Sequence, residues 1–152
     1  MTYRMLVTVD DTIESVTAAT TAARLAVDLH AQVRVLIVIE DDLVGEEREK
    51  ATSPGSFERR RQAAANLLEF VRRKICAEGV EPSHVEVRQS TSDPLRRILD
   101  EARTWAADMI VMAVSDQRGV RSNYVGSVTE QVIEFSRWPV LVVPGPSQHH
   151  AT

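Results

Sequence analysis

The stretch Met109–Val114, MIVMAV, carries no polar side chain. A strand with one wet face alternates apolar and polar residues, whereas a strand roofed on both faces reads as an unbroken apolar run. The run is strand-length and too short for an independent helix. Burial on both faces requires a layer above and a layer below. MIVMAV therefore points to a parallel sheet between helices.

The flanking segments agree with that reading. On the carboxyl side, Ser127–Ser136 reads as a short helix burying Val128, Val132 and Phe135, and Val140–Val143 (VLVV) as a last strand. On the amino side, Pro94 opens a helix with Leu95, Ile98, Leu99, Ala102 and Trp105 on its core face. His84–Gln89 (HVEVRQ) alternates as a strand. Phe57–Glu78 has a helical stripe of Phe57, Ala64, Leu67, Leu68, Val71 and Ile75, ended by Gly79. Gln32–Glu40 (QVRVLIVIE) is a strand, and a helix before it presents Val16, Ala19, Ala22, Leu25 and Leu29. Asp11 and Glu14 have the D-x-x-E spacing of a capping box for that helix. Tyr3–Val9 (YRMLVTV) is the first strand. The order β-α-β-α-β-α-β-α-β predicts an α/β fold: an open five-stranded parallel sheet with helices on both faces.

With 152 residues the chain has the length of one domain and buries enough surface to fold without disulfides or metal. We expect that domain over residues 1–145, a mobile loop at 41–56 and a disordered polar tail at 146–152. The net charge of −4 gives no general attraction to nucleic acid or anionic membrane. Cys76 is the only cysteine, and no apolar run reaches the roughly 20 residues of a membrane span. The opening MTYRMLVTVD lacks the long apolar core of a signal peptide. A cytoplasmic location is the expectation.

In open sheets of this class, ligands bind beyond the carboxyl ends of the strands, where the strand order reverses. The loops after the first and fourth strands, Val9–Thr12 and the stretch 113–127, are the expected lips of a crevice. The second lip contains Asp116, Gly119 and Gly126, with Arg118 and Arg121 flanking Gly119.

The segments MLVTVDDTIES, VLIVIE, SDPLRRIL, ADMIVMAVS and GSVTEQVIEFSRWPVLVV together resemble a universal stress protein domain, from about Tyr3 to Val143. The resemblance implies a Rossmann-like sheet (adenine nucleotide α-hydrolase-like) of order 3-2-1-4-5. It also implies a stress-response or regulatory module and no enzyme. Members that bind ATP carry Gly-x-x-Gly and, after a spacer, Gly-Ser or Gly-Thr in the fourth-strand loop. Reading back from Gly126-Ser127, the motif glycines fall on Ala113 and Asp116. By the same resemblance Asp10 would face ribose and phosphates, beside Thr8 and Val9, and Val38 would offer backbone contacts to adenine. Met112 and Ala113 would border the nucleotide, and Gly126, Ser127 and Val128 would present N–H groups to phosphate.

The helix start at Ser127 keeps its unsatisfied donors and the positive end of its dipole. Asp116 is the physical obstacle. Two like charges about 4 Å apart repel by roughly 4 kcal/mol at an effective dielectric near 20, about a thousandfold in affinity. The favoured reading is a module with no cofactor. The alternative is an ATP switch in which Mg²⁺ bridges Asp116 to phosphate, or Arg118 or Arg121 neutralises it.

Other constellations are weaker. Asp10-Asp11 with Asp93 resembles a phosphoacceptor receiver, but the chain's only lysines, Lys50 and Lys74, lie far from the last strand. No G-x-S-x-G elbow is present, so no catalytic residue is assigned. Arg59, Arg60, Arg61, Arg72, Arg73 and Lys74 form basic clusters with Glu58 and Glu69 close by and read as a solvated helix face. His149-His150 lacks the further ligands of a metal site, and Cys76 reads as a packing residue. The last strand, Val140, Leu141, Val142 and Val143, would leave a bare apolar edge. The resemblance implies a homodimer through it, acting on an unknown protein partner.

Overall fold

A computed structural model describes residues 2–10, 12–40, 56–89, 93–114 and 127–145. The elements are β1 (Arg4–Val9), α1 (Ile13–Leu29), β2 (Gln32–Glu40), α2 (Ser56–Ala77), β3 (Ser83–Gln89), α3 (Pro94–Trp105), β4 (Met109–Ala113), α4 (Ser127–Phe135) and β5 (Val140–Val143). All five strands are parallel, in the order β3-β2-β1-β4-β5. The loop expected over 41–56 falls, up to residue 55, outside the described residues, as does the expected tail.

Strand alternation divides the core in two. Met5, Val7 and Val9 of β1 turn to one face with Val33, Val35, Ile37 and Val111, where α1 and α2 cover them. Leu6 turns the other way with Leu36, Ile110 and Met112, under Ile98 and Ala102 of α3 and Val132 of α4. The MIVMAV run is explained by this division, because its successive residues serve opposite cores.

The expected stripes of α1 and α4 face the core, with Ala19, Ala22 and Val132 buried and Val16, Leu25 and Val128 packed beside them, except for one residue in each helix. α1 buries Ser15, Ala18, Ala19, Ala22, Ala23 and Ala26, while Leu29 is 47% exposed. Alanine lets the helix backbone lie close to the sheet, which the longer leucines would prevent. α4 buries Val132, but Phe135 at its last position is 58% exposed. The cap of α1 also differs. Its N-cap is Thr12, whose side chain accepts from the Ser15 N–H, and Asp11 lies outside the described residues. The Asp10 carboxylate accepts from the Thr12 N–H, and this local turn carries the chain one residue further before the helix begins. Gly79, at φ +100, turns the chain after α2 in the left-handed region that glycine tolerates.

Candidate functional site

The strand order places β1 beside β4, the point at which the sheet's sequence order reverses. Pairing between them runs only from Met5↔Met109 to Val7↔Val111. Beyond that level β1 stays with β2 as far as Val9↔Ile37, and β4 stays with β5 as far as Ala113↔Val143. The two central strands therefore part company at their carboxyl ends. That parting forms the head of a crevice.

On the β1 side, Thr8 is half-buried and Asp10 exposed. Val9 is turned into the core and can offer a ligand only its backbone. Asp10 is held at three points. Its N–H donates to the Ser15 Oγ at 2.8 Å. Its carboxylate accepts from the Thr12 N–H at 2.9 Å and also from the Thr12 hydroxyl. The Ser15 N–H in turn donates to the Thr12 Oγ1 at 3.2 Å. Ser15 itself is 2% exposed, so this small polar knot seals the amino end of α1 against the sheet. Sequence reasoning missed Thr12 and Ser15. Their T-x-x-S spacing was the available signal, one residue beyond the D-x-x-E pair.

On the β4 side, Met112 is buried in the second core. Ala113 is half-buried, its residue packed against the first core. The Ala113 carbonyl accepts from the Thr129 Oγ1 at 3.2 Å. The Val114 N–H donates to the Val143 carbonyl at 2.9 Å. Thr129, unremarked in the sequence, thereby fixes the first turn of α4 to the end of β4. Ser127 opens α4, and Val128 packs against the second core. Val38 stands further along the rim on β2, paired with Val87 and packed on the second core. Asp116, Arg118, Arg121 and Gly126 lie outside the described residues.

A third element closes the rim. A Cβ at Gly145, just past β5, would stand 2.5 Å from the Glu14 Cγ. The chain leaving β5 thus lies directly on the first turn of α1. Asp10 and Glu14 both belong to this corner, where the α1 dipole favours carboxylates.

Among the described residues, the clearly perturbed ionisable groups lie on α2. Hydrogen bonding from Arg72, opposed by desolvation and reinforced by Arg73, draws the Glu69 carboxyl down to about 2. The same bond raises Arg72. A hydrogen bond to Glu81, then burial, raises the Cys76 thiol. Glu69 pairs with Arg72 at 2.9 Å and Arg73 at 3.2 Å, which gives that stretch the character of a solvated helix face. No group of three or more His, Cys, Asp or Glu able to hold a metal occurs among the described residues. None of the helices described is long and apolar enough to cross a membrane.

Comparison with known proteins identifies the pattern. A family model described as the universal stress protein family matches residues 1–144. A universal stress protein of Methanocaldococcus jannaschii is 28% identical over an alignment 150 positions long that takes in 95% of this chain and 84% of the relative. The structure of a universal stress protein, UspA, from Lactobacillus plantarum superposes with a TM-score of 0.76 at 20% identity, over 93% of this chain and 97% of that one. That of the universal stress protein from Archaeoglobus fulgidus in complex with dAMP gives a TM-score of 0.67 at 20% identity, over 94% and 98% of the two chains.

Proposed function

Because the chain belongs to the universal stress protein family, we propose that it is a dimeric regulatory module that acts through a protein partner and does not hold ATP. The residue at the β4 lip carries this reading. Where the family's nucleotide loop begins with glycine, this chain has Ala113, half-buried against the core and with its carbonyl engaged by Thr129. Three positions on, the second glycine is replaced by Asp116. A carboxylate next to a triphosphate costs about a thousandfold in affinity if nothing neutralises it. The helix start at Ser127 remains suited to an anion. The dAMP complex of the Archaeoglobus relative gives the ATP-switch reading its support. Under that reading Ser127 and Val128 would present N–H groups, and Mg²⁺ would offset the Asp116 charge.

Denaturing the purified protein and analysing the released small molecules is expected to yield no adenine nucleotide. Calorimetric titration with ATP, with and without Mg²⁺, is expected to show no micromolar binding. Micromolar binding in either titration would overturn the reading. The paired substitution Ala113→Gly and Asp116→Gly is expected to create binding. Its failure to do so would show that the motif alignment, and not the charge, is at fault.

A further inference from the structure

Helices run antiparallel to the strands, so the carboxyl ends of α3 and α4 meet at the end of the sheet opposite the crevice. There, a groove of about 290 Å³ is lined by Leu99, Asp100, Arg103, Phe135, Arg137 and Trp138. Its volume is at the small end of ligand pockets. One wall is α3, on which Arg103 and Asp100 neutralise each other at 3.2 Å. The other wall is the turn that leaves α4. The Ser136 hydroxyl accepts from the Trp138 N–H at 2.9 Å and donates to the Trp138 carbonyl at 2.8 Å. The Pro139 carbonyl accepts from the Ile110 N–H at 3.0 Å and ties the turn to β4. The backbone that presents Arg137 is therefore fixed before any ligand arrives, which lowers the ordering cost of binding.

The side chains in this groove have unspent capacity. Phe135 is 58% exposed although it closes a helix whose Val132 is fully buried. Trp138 is half-buried and Arg137 exposed. Arg137 has no side-chain partner among the described residues, in contrast to Arg103. An uncommitted guanidinium beside two aromatic rings and an aliphatic floor complements a flat apolar body carrying one negative charge.

We propose that this groove binds a small planar aromatic acid, its ring against Phe135 and Trp138 over Leu99 and its carboxylate on Arg137. This goes beyond the reading of the crevice and is independent of whether ATP binds there. The test is an NMR titration of the isotope-labelled full chain with naphthoate, with neutral naphthalenemethanol as comparison. Saturable shifts are expected at Leu99–Arg103 and Phe135–Trp138, including the Trp138 indole N–H. The acid is expected to bind about tenfold or more tightly than the alcohol, as a charge-assisted contact requires. Arg137→Gln, at an exposed position, should abolish that preference and leave the thermal midpoint unchanged. Three results would overturn the proposal: no saturable shift, equal binding of acid and alcohol, or shifts confined to the carboxyl ends of β1 and β4. So would groove resonances that move with protein concentration alone, because a second copy would then be the occupant.

Discussion

At Gly145 a single hydrogen atom keeps two segments in register. Any side chain there would meet the Glu14 Cγ at 2.5 Å, so Gly145→Ala is expected to destabilise by about 1–3 kcal/mol through overpacking. Adding Glu14→Ala should recover most of that loss in urea unfolding, and strictly additive effects would show that the two residues do not meet. Cys76 gives a second prediction. Its thiol donates to a Glu81 carboxylate oxygen at 3.2 Å, and this bond, with burial, raises its pKa. Less thiolate is present at any given pH, so alkylation by iodoacetamide should be slower than for a free thiol, and Glu81→Gln should accelerate it. An unchanged rate in that variant would leave burial as the cause. Neither relationship was legible in the sequence. Glu14 and Gly145 are distant in the chain, and Glu81 reaches Cys76 only because the chain turns back at Gly79.

Among the elements, α1 shows where periodicity succeeds and where it fails. The apolar period located the helix and its face, since Val16, Ala19, Ala22 and Leu25 all meet the core, yet Leu29 came out exposed and the neighbouring alanines were passed over. What the sheet requires there is closeness, supplied by Ala18, Ala19, Ala22, Ala23 and Ala26. Ala22→Leu is therefore expected to cost about 1–3 kcal/mol, whereas Val27→Leu at a 43% exposed position should stay within about 0.5 kcal/mol of the parent. Chemical denaturation of both variants checks this, and equal stabilities would contradict the close approach of α1. The strands were easier to read. The unbroken apolar run of β4 reflects burial on both faces, and β3 was legible from its alternation instead. Phe135 misled for the reverse reason, since an apolar residue at a helix end satisfies the period whether or not anything covers it.

For the whole molecule, the alternation of elements was enough to predict five parallel strands, and the family resemblance supplied their order. The parting of β1 from β4 above Val7 and Val111 was not legible, because register depends on which residues pair and not on composition. The dimer remains a proposal about the β5 edge. Pro139 and Val143 turn their carbonyls toward β4, so by strand alternation Val140 and Val142 turn their backbone groups outward. Sedimentation equilibrium is expected to give twice the 16.9 kDa chain mass. Val142→Pro should yield a folded monomer, since it removes an outward N–H and spares the β4 ladder. A parent protein that sediments as one chain would refute the dimer. The strand order also bears on biosynthesis. Arg4, whose N–H donates to the Asp108 carboxylate, is separated from it by 104 positions. During translation β1 can join β2 and β3 early, but its other margin waits uncovered until the ribosome has released β4. Throughout that interval the most deeply buried strand of the finished protein is a sticky nascent edge, and the pace of elongation through this span sets how long a chaperone must guard it.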